Sequence, residues 1–174
     1  TLDRWPDVMR DALDANIIHF TTSPPGQPLL HYAVAGLDVP GAGPLSMALR
    51  SYQCSNLNVM RYTEGELFSV GVFGLLMPLW AALAVIPIYL SARMLFNRQR
   101  HAVLQVAAWW PLVPTVLLFA PTWNTLYPFL CVSAFALLLA ALQESKPARY
   151  GYAVAAGAVM SVTTFLNFAV APVL

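Results

Sequence analysis

Apolar residues fall in two regimes along this chain. Up to residue 66 they alternate with charges and turn formers; beyond it they run almost unbroken. Over Asp3 to Ile18 the apolar positions are Trp5, Val8, Met9, Ala12, Leu13 and Ile17. That i, i+3, i+4, i+7 spacing predicts an amphipathic helix, with Arg10, Asp11 and Asp14 on its other face. Asp3 is its expected N-cap and Pro6 sits in the first turn. Too polar to span a bilayer, it is expected to lie in the interface with Trp5 and Met9 down.

Next comes a stiff corner, Thr21 to Tyr32, reading TTSPPGQPLLHY. Pro24, Pro25 and Pro28 fix φ and remove three backbone donors, while Gly26 allows a tight turn between them. Pro28 is tolerated in a first helical turn, so an apolar helix is predicted from Pro28 to Leu37. Asp38 to Pro44, with two Gly and two Pro, is expected to break it. Leu45 to Tyr62 is mixed and predicts one or two short helices. Thr63-x-x-Glu66 reads as a capping box opening the apolar region.

From there the pattern predicts spans over residues 67–90, 102–119, 126–142 and 150–174. Leu67 to Ala92, His101 to Gln143 and Tyr150 to Leu174 hold no charged residue. One charge at a helix centre costs roughly 2.5–3.5 kcal/mol of insertion, so such runs are selected. Each of the first two spans contains two prolines, which membrane helices tolerate when neighbours satisfy the freed carbonyls. In the last, Ala153 and Gly157 offer a small-residue face for close helix contact. The expected fold is thus an all-α membrane protein: residues 1–66 form an external loop region with an interfacial helix, and residues 67–174 form about four transmembrane helices.

Composition agrees. The 174 residues are 59% hydrophobic and 10% charged, against about 25% charged in soluble domains. Residues 67–174 hold five basic residues and one acidic residue, whereas residues 1–66 hold four basic and seven acidic. Arg93, Arg98, Arg100, Lys146 and Arg149 fall in two loops, 93–101 and 143–149. The excess of basic residues places those loops in the cytoplasm and residues 1–66 outside, in a multi-pass protein of the plasma (inner) membrane. The start at Thr1 and the end inside an apolar run suggest a stretch of a longer chain. Cys54 and Cys131 lie in a polar loop and an apolar helix, so no bridge between them is expected, and neither shows metal-ligand spacing.

Candidate chemistry lies on the outer side. There is no phosphate loop, nucleophile elbow or metal spacing, and nothing that points to nucleic acid. No ionisable residue sits inside a span to relay protons. Asp3, Asp7, Asp11, Asp14, His19, His31, Asp38, Glu64 and Glu66 remain. An acid over a lipid-facing groove can act as general base toward a hydroxyl or amine acceptor; as single residues, most read simply as parts of a solvated face. His31 reads as a packed helix residue.

Ser23 to Tyr32, SPPGQPLLHY, resembles the proline-rich PPG-x-PLL corner of polytopic GT-C glycosyltransferases, the membrane enzymes related to protein mannosyltransferases and lipid A aminoarabinose transferases. In that family the corner lies in the first large external loop and begins a surface helix ahead of the second span, so the resemblance implies an N-terminal portion of the fold. Leu45-x-x-x-Leu49-Arg50, Arg93 to Phe96 and Pro121 to Phe135 resemble later stretches. The resemblance implies sugar transfer from a polyprenyl-phosphate donor at the outer face, with no other cofactor. It also implies an early external acid as base, for which Asp3 and then Asp7 are the candidates, and a substrate loop at Pro24, Pro25, Gly26, Pro28 and His31. Ser23 stands where the family often has His, Tyr or Asp, and Asn124 where a later external turn sometimes carries an acid. The alternative is a non-catalytic membrane subunit, in contact with lipid bilayer and other subunits of a respiratory or photosynthetic complex.

Overall fold

The computed structural model describes residues 7, 10, 25–37, 39, 42–52, 61–96, 99–114, 118 and 122–168. Among them regular structure is entirely helical. Seven α-helices are described: α1 Gly26–Ala35, α2 Ala42–Tyr52, α3 Glu64–Leu83, α4 Val85–Phe96, α5 Arg100–Trp109, α6 Leu126–Gln143 and α7 Ala148–Leu166, with 3-10 turns at Trp110–Leu112 and Trp123–Thr125. Of the expected amphipathic helix over 3–18, only Asp7 and Arg10 lie among the described residues, and both are helical.

The proline corner starts its helix two residues before the expected Pro28. Pro25 is the N-cap and its carbonyl takes the first helical bond, from Leu29 N–H at 3.0 Å. Pro28 falls in the first turn, where it has no bond to lose. The expected break over 38–44 is shorter than the pattern implied, because Gly43 and Pro44 already belong to the first turn of α2. The capping box forms as read: Glu66 N–H donates to Thr63 Oγ1 at 3.3 Å, and Thr63 N–H donates to the Glu66 carboxylate at 2.8 Å.

Helices α3 and α4 are one apolar rod of 33 residues, Glu64–Phe96, interrupted at Ala84. Pro87 explains the interruption. It has no N–H for the carbonyl of Leu83, four residues back, and its ring crowds that carbonyl. Just before the gap, the Trp110 indole donates to the Ala81 carbonyl at 2.7 Å. Glu64–Phe96 and Trp123–Gln143 are long and apolar enough to cross a membrane.

The other two expected spans take different forms. Over 102–119 the helix stops at Trp109, and the N–H groups of Trp110 and Val113 turn to the carbonyls of Ala107 and Trp110 in 3-10 fashion. Pro111 and Pro114 contribute by removing donors, and Pro114 also by disfavouring helical geometry in Val113, which is extended, whereas Trp110 before Pro111 keeps helical dihedrals. The last becomes α7, 19 residues long. Its hydroxyls are satisfied within the helix: Ser161, Thr163 and Thr164 donate to the carbonyls of Gly157, Val159 and Met160 at 2.9, 2.7 and 3.0 Å.

Cross-links fix the helix directions. Thr125 Oγ1 donates to the Met77 carbonyl at 3.2 Å and Gln143 donates to the Met94 carbonyl at 3.2 Å. Helix α6 therefore runs alongside α3 and α4 in the same sense, while α7 returns against α6. The core is small: Met77, Leu126, Tyr127 and Leu166 are buried, with Phe73, Trp80, Trp123 and Phe129 packed around them. Both α1 and α2 pack on the first turns of α3. That contact leaves no room for a side chain at Gly65, where a Cβ would meet the Ala35 backbone carbonyl; where α1 meets the end of α7, the same holds at Gly26, whose Cβ would meet the Phe165 carbonyl.

Candidate functional site

The site is the junction of α1, the start of α3 and the 3-10 turn before α6. His31 lies one turn and a half into α1 and faces Ser69 of α3. The indole N–H of Trp123 only donates, and it reaches His31 Nε2 at 3.3 Å. Nε2 must then carry the lone pair, and the proton sits on Nδ1. Nδ1–H donates to Ser69 Oγ at 2.9 Å, and the Ser69 hydroxyl passes its own proton to the His31 backbone carbonyl at 3.0 Å. The chain of donors closes with every polar atom used. Phe73 and Trp123 stack edge-on against the imidazole, with ring centroids 4.5 and 5.6 Å away.

Burial lowers the His31 pKa from its ordinary value. The indole cap acts in the same sense, because protonation would set two donors against each other. His31 is therefore held neutral and of fixed tautomer. Its one basic lone pair is occupied, so it is a positioning group rather than a free base.

Gln27, one turn earlier on α1, ties the same junction to the far helices. Its amide donates to the Tyr127 hydroxyl and, at 3.4 Å, to the Leu166 carbonyl at the end of α7. Ser46 Oγ of α2 donates to the Glu64 carbonyl at 2.8 Å. Three separate stretches of sequence thus meet where the long rod begins.

Of the expected substrate-loop residues, Pro25, Gly26, Pro28 and His31 all lie on the α1 side of this junction; Pro24 lies outside the described residues. So does Asp3. Asp7 is exposed and pairs with Arg10 at 3.5 Å, itself exposed, a contact worth little in water. Glu66 is engaged in its capping box. Asn124 is exposed on the turn beside Trp123. Among the described residues no group of three His, Cys, Asp or Glu side chains could hold a metal, and Cys131 is a free thiol.

Sequence reading missed Ser69, Phe73, Trp123 as a donor, and Gln27. A serine in an apolar run less than one turn past a capping box was the available signal, but its partner is 38 residues away and carries no local pattern. Comparison with protein-family models, curated proteins and solved structures finds no match for this chain.

Proposed function

We propose that this chain is a multi-pass integral membrane protein of GT-C glycosyltransferase type, transferring a sugar from a polyprenyl-phosphate donor at the face that carries α1. The observation that carries this reading is the order of elements: a helix begun by the proline corner, then α2, then a long apolar rod on whose start both dock. This is the order that the resemblance of the corner implies.

Membrane residence is supported by burial. Only 28% and 33% of the most apolar windows of Glu64–Phe96 and Trp123–Gln143 are buried within the protein. Leu75, Leu118 and Leu142 are each at least 70% exposed. Apolar side chains left this open cost free energy in water, whereas lipid costs them nothing. The internal hydroxyl bonds of α7 serve the same need, since lipid offers no partner. The basic loops at the opposite end then face the cytoplasm.

The test is transfer by the full-length protein in liposomes from polyprenyl-phosphate-linked sugars. Asp3→Asn and Asp7→Asn are expected to lower the rate at least about 100-fold if either is the base. Unchanged transfer removes that assignment. A second reading, a non-catalytic subunit of a larger assembly, is favoured by a specific observation. His31 and Glu66 are already committed to internal bonds, and Asp7 is solvated beside Arg10. It predicts no transfer with any donor and stable co-purification of other membrane subunits.

A further inference from the structure

We infer that the groove between α4 and α6 is a binding site for one anionic membrane phospholipid, lodged at the end of the bundle opposite α1. The inference rests on the membrane reading and is independent of the transferase reading.

The groove has a volume of about 890 Å³ and lies on the flank of the α3–α4 rod beyond the gap at Ala84. Its walls are apolar for most of their length: Leu83, Ile86 and Leu90 on one side, Phe129 and Leu137 on the other. The lining is most polar at one end, with Arg93, Gln143 and Glu144; part-way along α6 it also includes Ser133. Leu83 to Arg93 is ten residues of helix, about 15 Å at 1.5 Å per residue. That is half of a hydrocarbon core about 30 Å thick. The groove is one leaflet deep, mostly apolar along the depth of the acyl chains and charged at the level of the headgroups, where Arg93 and Glu144 both line it.

Charge selects the headgroup. Arg93 is exposed, and its guanidinium has no ion pair or hydrogen bond among the described residues. Arg100, Lys146 and Arg149 stand at the same end of the bundle, against the single carboxylate of Glu144. Gln143 of α6 donates to the Met94 carbonyl of α4 and so bridges the two walls at this end. A mostly apolar slot beside a guanidinium with no partner among the described residues, at an end where the described residues include four basic side chains and one acidic, fits two acyl chains under a phosphate. It does not fit a zwitterionic headgroup as well, nor a free anion, which would leave the slot empty. Juxtamembrane basic residues attract anionic lipid in this way.

The experiment is native mass spectrometry of the full-length protein released from detergent, titrated with phosphatidylglycerol and with phosphatidylcholine of the same chains. One phosphatidylglycerol is expected to bind at least about fivefold more tightly than phosphatidylcholine. Arg93→Gln is expected to lose about fivefold, the pull of one basic residue near an anionic surface, and Arg93→Lys to keep most of the affinity. Leu137→Trp, which fills the slot and leaves the charges alone, is expected to weaken both lipids. Equal binding of the two lipids, or unchanged binding by Arg93→Gln, overturns the proposal, as does full competition by inorganic phosphate. Release of the protein from membranes by alkaline carbonate overturns the membrane reading itself, a result distinct from any change of lipid preference.

Discussion

The two ends of the helical bundle solve the same problem in opposite ways. At the α1 end the polar side chains meet one another. His31 uses both ring nitrogens, Ser69 both donates and accepts, and Gln27 and Thr125 each reach two partners. At the basic end Gln143 crosses to the Met94 carbonyl, but the charged groups meet little. Arg93 has no partner among the described residues, Lys146 lies only over the Tyr150 ring at 5.8 Å, and Arg149 reaches the Ala141 carbonyl. Groups that satisfy each other fix helix positions and leave little for a ligand; unpaired charges beside an apolar slot invite one. The contrast separates a structural clamp from a binding surface within one small molecule, and each end can be tested without the other.

The α1 clamp should break most severely through its closest backbone approach. Gly65→Ala puts a methyl group against the Ala35 carbonyl, and backbone cannot swing aside as a side chain can. The expected loss is about 1–3 kcal/mol, typical of overpacking, read as a lower unfolding temperature in detergent. Lipid preference at the basic end should be unchanged. If Gly65→Ala alters lipid binding as much as stability, the two ends are coupled and the comparison fails.

A smaller change asks whether the histidine network is held by its indole cap. Trp123→Phe keeps the ring stack and deletes the N–H, leaving His31 Nε2 without its donor at a cost of about 1 kcal/mol or somewhat more. The pH dependence is more diagnostic. Burial lowers the folded-state pKa of His31, while the unfolded chain titrates near about 6.5. Below that value the unfolded state binds the proton first. Stability is therefore fully present above pH about 6.5 and is lost as pH falls from there toward the lowered folded value. Unfolding temperatures at pH 7.5 and 5.0 should differ accordingly, and less so in Trp123→Phe, where a proton can take the place of the missing donor. An unchanged difference in the variant assigns the effect to burial alone.

What the sequence could reveal follows the reach of each cause. The proline corner, the capping box and the apolar rod are local, and a few consecutive residues specify them. Pro87 was visible as a proline, but its effect depends on the surroundings: Pro78 sits inside an unbroken α3, while Pro87 opens a gap at Ala84. Pro111 and Pro114, closer together, end α5 outright. The His31 network joins residues 38 and 92 positions apart, and the groove joins α4 to α6, so neither leaves a periodicity to detect. Hydrophobic run length also overlooks a break where prolines are clustered: α5 ends at Trp109, well inside the apolar run that begins at Ala102.

The smallest expected effect tests the border between the two regimes of the chain. Thr63 caps α3 through its hydroxyl, and Glu66 returns the bond to the Thr63 N–H. Thr63→Ala removes the cap and leaves an orphan N–H at the helix start, a loss of about 1 kcal/mol in most settings. Here the site is exposed, so water can take over part of the role and the loss should fall in the lower half of the 0.5–2 kcal/mol range. Because α1 and α2 both dock on those first turns, fraying there should loosen them before it touches α6 or α7. Hydrogen exchange is the fitting measurement: faster exchange over 64–69 and 26–35 with unchanged rates over 126–143 is expected. Equal acceleration throughout would mean that the junction and the rest of the bundle unfold as one unit, and that the clamp has no stability of its own.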